Sequence, residues 1–440
     1  MTFRKLSTRF VILAVLVALL VASGSFVGAQ DDEFTISDEF AGTELRLIMA
    51  NHAWNNAIQR IVNEFEEASG ITLRIESYFE DQLSQRLQIG LTSGMSQADV
   101  FMFRPLQEGR LFATNGWVAD LTDMAENDTV WNWDDFQGGA VSTVTLNGMV
   151  FGVPIVTERE IIYYRKDIFE EAGIEVPSTM EELYAAAEAL NDPANNFYGI
   201  TMRGQRAAAV TQFSSFLYSF GGDWLTEDGT SGLGSDEALE AYDFYGTLLR
   251  EFGPPGSLNI HWPQALAVFQ QGNAAMFVDA DSLVGNFTPD MPIFENIGFA
   301  QIPAGPAGSR PYNVTSWALG MNAASPNSDA AWEFIRWATS PDVVLRMQQA
   351  GNPGPRHSVW AMPESLGELP QEFADVVISS GEVGVGYDRP LVIRVGEARD
   401  IVGQPIVDSI EGNDIAASVA AAHEAFEAFL EEEAETFGSP

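Results

Sequence analysis

The hydrophobic pattern after residue 43 alternates between two periods. Stretches in which every second residue is apolar predict strands, and stretches with apolar residues three or four apart predict helices. In chain order, these stretches predict a strand, a helix, a strand, a helix and a strand over residues 44–49, 56–68, 71–77, 82–91 and 98–103. This succession predicts a βαβαβ unit with parallel strands and right-handed crossovers.

The loops that follow these three strands are candidate ligand-binding segments. In open parallel sheets, ligands bind outside the carboxyl ends of the strands. Those ends fall at residues 51–55, 79–82 and 104–108. The side chains in these loops that we expect to contact a ligand are Asn51, His52, Trp54, Asn55, Gln82 and Arg104.

A second informative run spans residues 147–183. Its pattern predicts, in order, a turn, a short apolar strand up to a proline, a second strand, a short helix with an N-cap and a glycine stop, and the capped start of another helix. The turn is Asn147-Gly148, the first strand ends at Pro154, and the second strand covers residues 160–165. The short helix is Asp167–Ala172, with Asp167 as N-cap and Gly173 as its stop, and Ser178 or Thr179 caps the next helix. This order of elements is typical of an α/β domain.

The same run carries a motif that is longer and more specific than a lone glycine pattern. It consists of an apolar-Gly-x-Pro strand, a carboxylate a few residues later, the segment Tyr-Tyr-Arg-Lys-Asp-apolar-Phe-Glu-Glu-Ala-Gly, and a Pro-Ser/Thr-x-x-Glu-Glu-Leu helix start. In these residues the chain resembles the family 1 extracellular solute-binding proteins of bacterial ABC importers, a group that includes many sugar and polyol binders. The resemblance spans residues 44–430.

The resemblance implies an α/β fold of the type II periplasmic-binding-protein class, with two lobes joined by a hinge and the ligand cleft between them. Lobe 1 is expected to comprise residues 44–156 and about 316–345, and lobe 2 residues 157–315 and about 346–440. By the same resemblance, the lobes close on one sugar or sugar alcohol. The closed form, which we expect to be a monomer, then docks on the membrane permease of an ABC importer.

Five further candidate ligand contacts occupy positions that match the family. Glu158 matches a sugar-binding glutamate, since a carboxylate accepts hydrogen bonds from adjacent hydroxyls; a solvated surface charge is the alternative. Trp224 is expected to stack on a sugar ring, with a buried structural role as the alternative. Asp279 lies in a Val-Asp-Ala-Asp segment that looks like that of polyol binders. Trp317 lies at the return crossing between the lobes. Arg356 offers a planar donor fork that fits vicinal hydroxyls or a carboxylate.

The N-terminus has the pattern of a cleavable secretory signal. Three basic residues precede an apolar run over residues 10–22, and small residues follow up to Ala29, where we predict cleavage. The run is shorter than the about 20 residues of a membrane span; an uncleaved anchor is the alternative. The chain has no cysteine, so we expect a periplasmic or extracytoplasmic protein without lipid or disulfides. The acidic residues 30–43 are expected to form a flexible lead-in.

The charge of the chain excludes two classes of partner. It contains 62 Asp and Glu against 22 Lys and Arg, with a formal net charge of −40. Such a chain repels nucleic acid and anionic membrane surfaces. With 46% hydrophobic residues it has the composition of a globular protein, and its length of about 410 residues after cleavage predicts two or more domains.

Two alternatives to a sugar-binding protein are a binding protein for a non-sugar solute and a secreted carbohydrate-active hydrolase. A hydrolase requires paired carboxylates, and Glu158 and Glu160 face the same side if both lie on one strand. The sequence contains no nucleophile elbow, zinc-protease helix, P-loop or dinucleotide-binding motif. Its four histidines are too scattered to predict a metal site. We therefore predict a binding protein without enzymatic activity, cofactor or metal.

Overall fold

The computed structural model describes residues 34–94, 98–367 and 369–437. The predicted signal peptide, residues 1–29, lies outside these ranges, as do residues 30–33 of the predicted lead-in. Within the described ranges, no helix is both long enough and apolar enough to cross a membrane.

The described chain contains both strands and helices, as the α/β prediction requires. The strands are Glu44–Ala50 (β1), Thr72–Tyr78 (β2), Val100–Phe103 (β3), Thr145–Leu146 (β4), Met149–Val150 (β5), Val153–Arg165 (β6), Tyr198–Thr201 (β7), Ala274–Ala280 (β8), Ile297–Gln301 (β9) and Asn313–Met321 (β10). The α-helices are Ala53–Ile58 (α1), Val62–Ser69 (α2), Glu80–Thr92 (α3), Arg110–Thr114 (α4), Thr122–Asn127 (α5), Gly138–Thr143 (α6), Lys166–Ala172 (α7), Met180–Ala189 (α8), Arg206–Phe220 (α9), Asp236–Phe252 (α10), Trp262–Gln270 (α11), Ser328–Ala338 (α12), Pro341–Gln349 (α13), His357–Trp360 (α14), Gln371–Val383 (α15), Val395–Val402 (α16), Gln404–Glu411 (α17) and Ile415–Phe437 (α18).

The larger strands form two connected sheets. The first sheet has the order β2-β1-β3-β10 followed by the N-terminal half of β6, with β1 parallel to β2 and β3, and β10 antiparallel to β3 and β6. The second sheet contains the C-terminal half of β6 between β8 and β9, and β7 pairs with β8. The parallel pairing of β1, β2 and β3 confirms the predicted βαβαβ unit.

Strand β6 belongs to both sheets. Its residues up to Arg159 pair with β10, and its residues from Glu160 onward pair with β8. The prediction of one strand that ends at Pro154 and a second over residues 160–165 is therefore wrong, because a single strand runs through the proline. Pro154 pairs with Ala318 of β10, next to register shifts that flank Trp317, and an irregular pairing tolerates a residue without an N–H. The predicted lobe boundaries stay a prediction.

The loop predicted after β1 is largely helical. Helix α1 begins at Ala53 because the Nδ1 atom of His52 accepts a hydrogen bond from the Trp54 N–H at 3.1 Å, which caps the helix. The helix predicted over residues 56–68 is also divided, since α1 and α2 are separate and the second ends at Gly70 with a φ of 70°.

The start of α7 differs from its prediction by one residue. The helix begins at Lys166, so Asp167 lies inside its first turn and is not the N-cap. The Asp167 carboxylate instead accepts hydrogen bonds from the Arg165 guanidinium at 2.8 and 2.6 Å. The Asp167 carboxylate is therefore bound by Arg165 and does not cap the helix.

Three other turn and cap predictions in the run 147–183 are confirmed. Asn147 and Gly148 have φ angles of 51° and 83° at the hairpin between β4 and β5. Gly173 ends α7 with a φ of 67°. The Thr179 hydroxyl accepts from the N–H of Glu182, whose side chain accepts from the N–H of Thr179, and this capping box starts α8.

The larger hydrophobic core packs against the second sheet. It combines residues of β7 and β8 with residues of α8, α9, α10, α17 and α18. Phe213 of α9 and Tyr242 of α10 stack with ring centroids 4.1 Å apart. This packing holds α9 in place, and the first turn of that helix forms part of the cavity described below.

Candidate functional site

A cavity of about 600 Å³ lies among elements of the two sheets. The first sheet contributes the loops that follow β1, β2 and β3. The rest of the wall comes from the starts of α9 and α11, the turn after β8, strand β10 and residues near α16. The volume is in the range of small-molecule sites, and all three loops selected from the strand ends reach the same cavity.

Five of the residues selected from the sequence line this cavity. They are Asn51, His52, Arg104, Glu158 and Trp317. The pairing of β6 with β10 places Glu158 and Trp317 in one wall, and the parallel strands β1 and β3 bring their loops to it. The geometry is that of one site, and the role of each side chain as a ligand contact stays a prediction.

Three residues from the predicted loops do not line the cavity, and their assignments are corrected. Trp54 is 1% exposed and belongs to the core. Asn55 is fully buried, and its Nδ2 donates to the Ala50 carbonyl at 2.8 Å and to the Ser77 hydroxyl at 2.9 Å. Both side chains are turned inward because α1 starts at once after His52. Gln82 is exposed on α3, outside the cavity.

Trp224 and Asp279 also lie outside the cavity lining. Trp224 is fully buried and packs on Phe213 with ring centroids 5.7 Å apart, so it is the structural tryptophan of the stated alternative. Asp279 is fully buried and accepts hydrogen bonds from the Arg203 guanidinium at 2.6 and 3.0 Å and from Gln212 at 2.9 Å. Its carboxylate therefore holds Arg203, which does line the cavity.

Arg356 is a structural residue as well. Its guanidinium is fully buried and donates to the carbonyl oxygens of Thr339 at 2.7 Å and Trp131 at 2.8 Å, and to the Asp135 carboxylate at 3.0 Å. Burial lowers the pKa of Arg356 to about 10, and Asp135 opposes that change. The planar fork does bind acceptors, but they belong to the protein itself.

Arg104 is fixed by two carboxylates and one hydroxyl. It donates to Glu108 at 2.6 Å, to Glu80 at 3.1 Å and to Ser84 at 2.7 Å. Its guanidinium carbon lies 5.8 Å from the centroid of the Trp317 ring. Burial acts against the charge, but Glu108 and Glu80 hold the pKa of Arg104 above its usual value. Arg104 is thus an oriented cation against an aromatic face.

Glu158 is partly buried in the cavity wall. The Ser282 hydroxyl donates a hydrogen bond to its carboxylate at 2.6 Å. Burial raises the pKa of Glu158 to about 7, since the lowering by Ser282 is smaller and the neighbouring Asp281 raises the pKa further. A carboxyl group that titrates near neutrality can accept from a ligand hydroxyl when ionised and donate to one when protonated.

His52 and Trp317 form an aromatic part of the wall. Their ring centroids are 5.6 Å apart and the planes are tilted by 47°. Burial lowers the pKa of His52 to about 4, so the imidazole is neutral at pH 7. Because its Nδ1 accepts the Trp54 N–H, the proton of the neutral ring lies on Nε2, where it can be donated to a ligand.

The sequence reasoning missed Glu80 and Trp262, which meet in the cavity. Glu80 begins α3 on the side of the first sheet, and Trp262 begins α11 on the side of the second. The Trp262 Nε1–H donates to the Glu80 carboxylate at 3.1 Å. Burial raises the pKa of Glu80, but Arg104, His261 and Arg203 together outweigh it and leave the pKa below its ordinary value. Glu80 lay in a loop that was singled out, and its charge was the signal that could have found it.

The segment of residues 388–400 was missed for a different reason. Asp388, Arg389 and Arg399 line the cavity, yet the segment matches no motif. Its signal is compositional, because Arg389, Arg394 and Arg399 stand close together in a chain with only 22 basic residues. The segment is rich in arginine, although Asp388, Glu397 and Asp400 balance its formal charge.

The cavity offers hydrogen-bonding and stacking groups. In the described ranges, no group of three or more His, Asp or Glu side chains could hold a metal ion. The second histidine of the lining, His261, accepts the Trp262 N–H at 2.8 Å and thereby caps α11. Such a lining suits a small polar solute whose hydroxyl groups need several donors and acceptors.

These features define a class of protein. Two β-sheets flanked by helices share the strand β6, and a cavity with fixed charges and aromatic faces lies among elements of both. This is the arrangement of a protein that encloses a small solute between two lobes.

Comparison with known proteins agrees with that class. A family model described as "Bacterial extracellular solute-binding protein" matches residues 52–344. The chain belongs to this family of extracellular solute-binding proteins, and the family resemblance in the sequence is confirmed.

Three similar proteins illustrate the relationship. A mannitol-binding protein of Pseudomonas aeruginosa is 30% identical over 317 residues, which cover 69% of this chain and 72% of the relative. An erythritol/L-threitol-binding protein of Mycolicibacterium smegmatis is 26% identical over 338 residues, or 71% and 69% of the two chains. The crystal structure of an ABC-transporter solute-binding protein from Agrobacterium radiobacter, in complex with ribitol, is similar with a TM-score of 0.80 and 26% identity. It covers 89% of this chain and 99% of the other. The predicted two-lobed fold class is confirmed.

Proposed function

We propose that this protein is the substrate-binding component of an ABC importer and that it captures a sugar or sugar alcohol. The observation that carries the proposal is the combination of the carboxylates of Glu80 and Glu158 with the rings of Trp262 and Trp317 in one cavity. Carboxylates accept hydrogen bonds from hydroxyl groups, and aromatic faces cover the C–H surface of a carbon chain or sugar ring. A polyhydroxylated solute presents both kinds of group.

The similar proteins support this ligand class. Two of them are named for mannitol and for erythritol or L-threitol, and the third was crystallised with ribitol. All of these are short polyols. By volume, a cavity of about 600 Å³ has room for a polyol or a small sugar.

The contact between Glu80 and Trp262 supports capture by lobe closure. The two residues belong to helices on the sides of different sheets, and their hydrogen bond crosses the cavity. A second contact across the cavity involves Gln107, whose side-chain oxygen accepts hydrogen bonds from Arg389 at 2.7 Å and from Arg399 at 2.8 Å. Contacts of this kind form when two lobes approach each other, and strands β6 and β10 are the proposed hinge.

The proposed location follows from the family and the leader. Members of the family act outside the cytoplasm, and the predicted cleavage after Ala29 would release the chain there. Since the sequence has no cysteine, no lipid would be attached through a cysteine thiol. The proposed role is transport without catalysis, in which the closed protein delivers its solute to a membrane permease.

A thermal-shift screen of the mature protein tests this proposal. A solute present at a hundred times its dissociation constant should stabilise the folded state by about 2.7 kcal/mol, which raises the melting temperature measurably. We expect a shift with one or more polyols or sugars and no turnover of them. Shifts with amino acids or peptides alone would overturn the carbohydrate assignment, and consumption of a glycan would overturn the role without catalysis.

A further inference from the structure

Two arginines of the cavity lie side by side on neutral acceptors. Arg389 and Arg399 both donate to the side-chain oxygen of Gln107, at 2.7 and 2.8 Å. Both also donate to the Thr211 hydroxyl, at 3.3 and 3.2 Å. Two guanidinium groups that share the same uncharged oxygens repel each other, so the arrangement concentrates positive charge at one place in the wall.

The two arginines differ in whether a carboxylate forms an ion pair with them. Arg389 is paired with the carboxylate of its neighbour Asp388, just as Arg104 and Arg203 are paired with carboxylates. Arg399 is 8% exposed, and among the described residues no carboxylate forms an ion pair with it. Its remaining acceptor is the carbonyl oxygen of Ala207. The group therefore carries two positive charges and one negative charge.

The surroundings make this excess charge unfavourable. Burial is the largest cause that lowers the pKa of Arg399 well below its usual value, and the nearby Arg389 is the next. The Asp388 carboxylate opposes this lowering, but it is already paired with Arg389, and two buried cations that share one carboxylate are a costly arrangement. An anionic ligand group at this position would supply the missing charge.

The first turn of α9 favours an anion at the same place. Arg206, Ala207 and Ala208 line the cavity, and no side chain caps this 15-residue helix. The first N–H groups of a helix have no acceptor within the helix, and its N-terminus carries a partial positive charge. The helix end thus adds donors beside the arginine pair.

From the arginine pair, its single carboxylate and the helix end, we infer that the physiological ligand is a polyhydroxylated monocarboxylate, a sugar or polyol with one terminal carboxylate. This inference rests on the proposed function and narrows its substrate class. One excess positive charge matches one carboxylate, whereas a phosphate group brings about two negative charges close to Asp388. The two-oxygen carboxylate also fits the planar guanidinium fork.

The test compares ligands that differ only at one terminal carbon. D-gluconate is compared with D-sorbitol, and D-ribonate with ribitol, by isothermal titration calorimetry on the mature protein at low salt. We expect at least one acid to bind about tenfold or more tightly than its own alcohol, because a charge-assisted pair of hydrogen bonds replaces a neutral one. Raising the salt concentration should reduce the preference.

Two variants that each remove one arginine charge test whether Arg399 causes the preference for the acid. Arg399→Gln should weaken binding of the acid roughly 10- to 100-fold and binding of the alcohol by less than about threefold. Arg74→Gln removes the same charge from a surface pair in which the arginine is 65% exposed, and it should leave both affinities unchanged. If Arg399→Gln does not fold, Arg389→Gln and the comparison of acid with alcohol in the unaltered protein still decide the question.

Each outcome has a defined meaning. If the alcohols bind and the acids bind equally or more weakly, the inference is wrong and the proposed function stands. Tighter binding of D-glucose 6-phosphate than of either acid would overturn the carboxylate assignment. If no polyol, sugar or sugar acid binds, the proposed function is wrong and the inference falls with it. An acid preference that Arg399→Gln and Arg389→Gln leave intact would overturn the assignment to these arginines.

Discussion

The outer surface of this protein and its cavity differ in charge, and only the cavity carries information about the ligand. The whole chain has 62 acidic and 22 basic residues, whereas the cavity is lined by five arginines and five carboxylates. An acidic surface keeps the protein dispersed and excludes polyanionic partners. In the cavity wall Arg104 and Arg203 are paired with carboxylates, whereas the buried Arg399 donates to the neutral oxygens of Gln107 and Ala207, and this difference points to the ligand.

The largest effect should come from breaking an ion pair next to the cavity. In the pair of Arg203 with Asp279 the side chains are 13% and 0% exposed. Asp279→Ala should lower the free energy of unfolding by about 3–5 kcal/mol, because it leaves Arg203 without its counter-ion in a poorly solvated site. Urea denaturation with a constant m-value measures this change.

The matched surface variant is Glu44→Ala. It breaks the pair of Glu44 with Arg74, whose side chains are 52% and 65% exposed. An exposed pair contributes less than about 1 kcal/mol. If the two substitutions lowered stability equally, the contrast between cavity and surface would fail.

A smaller effect, on binding, is expected at the contact that crosses the cavity. Trp262→Phe keeps an aromatic ring but removes the hydrogen bond to Glu80. Affinity for the solute identified in the screen should fall about tenfold, since a hydrogen bond to a charged group contributes about 1.5–3 kcal/mol. Calorimetric titration measures it. Trp332→Phe, outside the cavity lining, is the control, and equal affinities of the two variants would show that the contact does not stabilise the closed form.

The smallest effect concerns pH. Burial raises the pKa of Glu158 to about 7 in the folded protein, against about 4.3 for an unfolded chain. As pH rises from about 4.5 to 7, the unfolded state loses this proton first, so the contribution of Glu158 to stability falls in that window and is constant above it. Glu158→Gln should remove this part of the pH dependence, which is about 0.8 kcal/mol between pH 6.5 and pH 8. Urea unfolding at the two pH values checks it.

Binding should change in the opposite sense. Ionised Glu158 is the stronger acceptor for hydroxyl groups, so ligand affinity should rise as pH passes 7 in the wild type and stay flat in Glu158→Gln. Glu44→Gln serves as the surface control. Parallel pH profiles of affinity in wild type and Glu158→Gln would remove Glu158 from the site.

Much of the fold could be predicted because its signals are local. The strands β1, β2 and β3 each carry their own hydrophobic period, and Thr179 with Glu182 forms a capping box visible in four residues. The three loops that line the cavity followed from topology alone. The errors also have local causes. Trp54 and Asn55 were predicted as ligand contacts in a loop, but the His52 cap starts helix α1 there, and both side chains are buried in the core.

The composition of the site was harder to predict because it depends on distant partners. Arg356 is held by Thr339, Trp131 and Asp135, and none of these is its neighbour in sequence. Trp262 and Arg399 reach the cavity only when their helices pack against the second sheet and its core. Sequence patterns give the scaffold of such a protein, whereas the identity of contact residues depends on which side chains the packing leaves unoccupied.

Strand β6 also determines how the protein unfolds. The strand changes sheets between Arg159 and Glu160 without an intervening loop. Melting of either sheet would leave the other with an open edge and unpaired backbone groups. We therefore expect the two sheets to unfold in one cooperative transition, with a single heat-absorption peak in calorimetry.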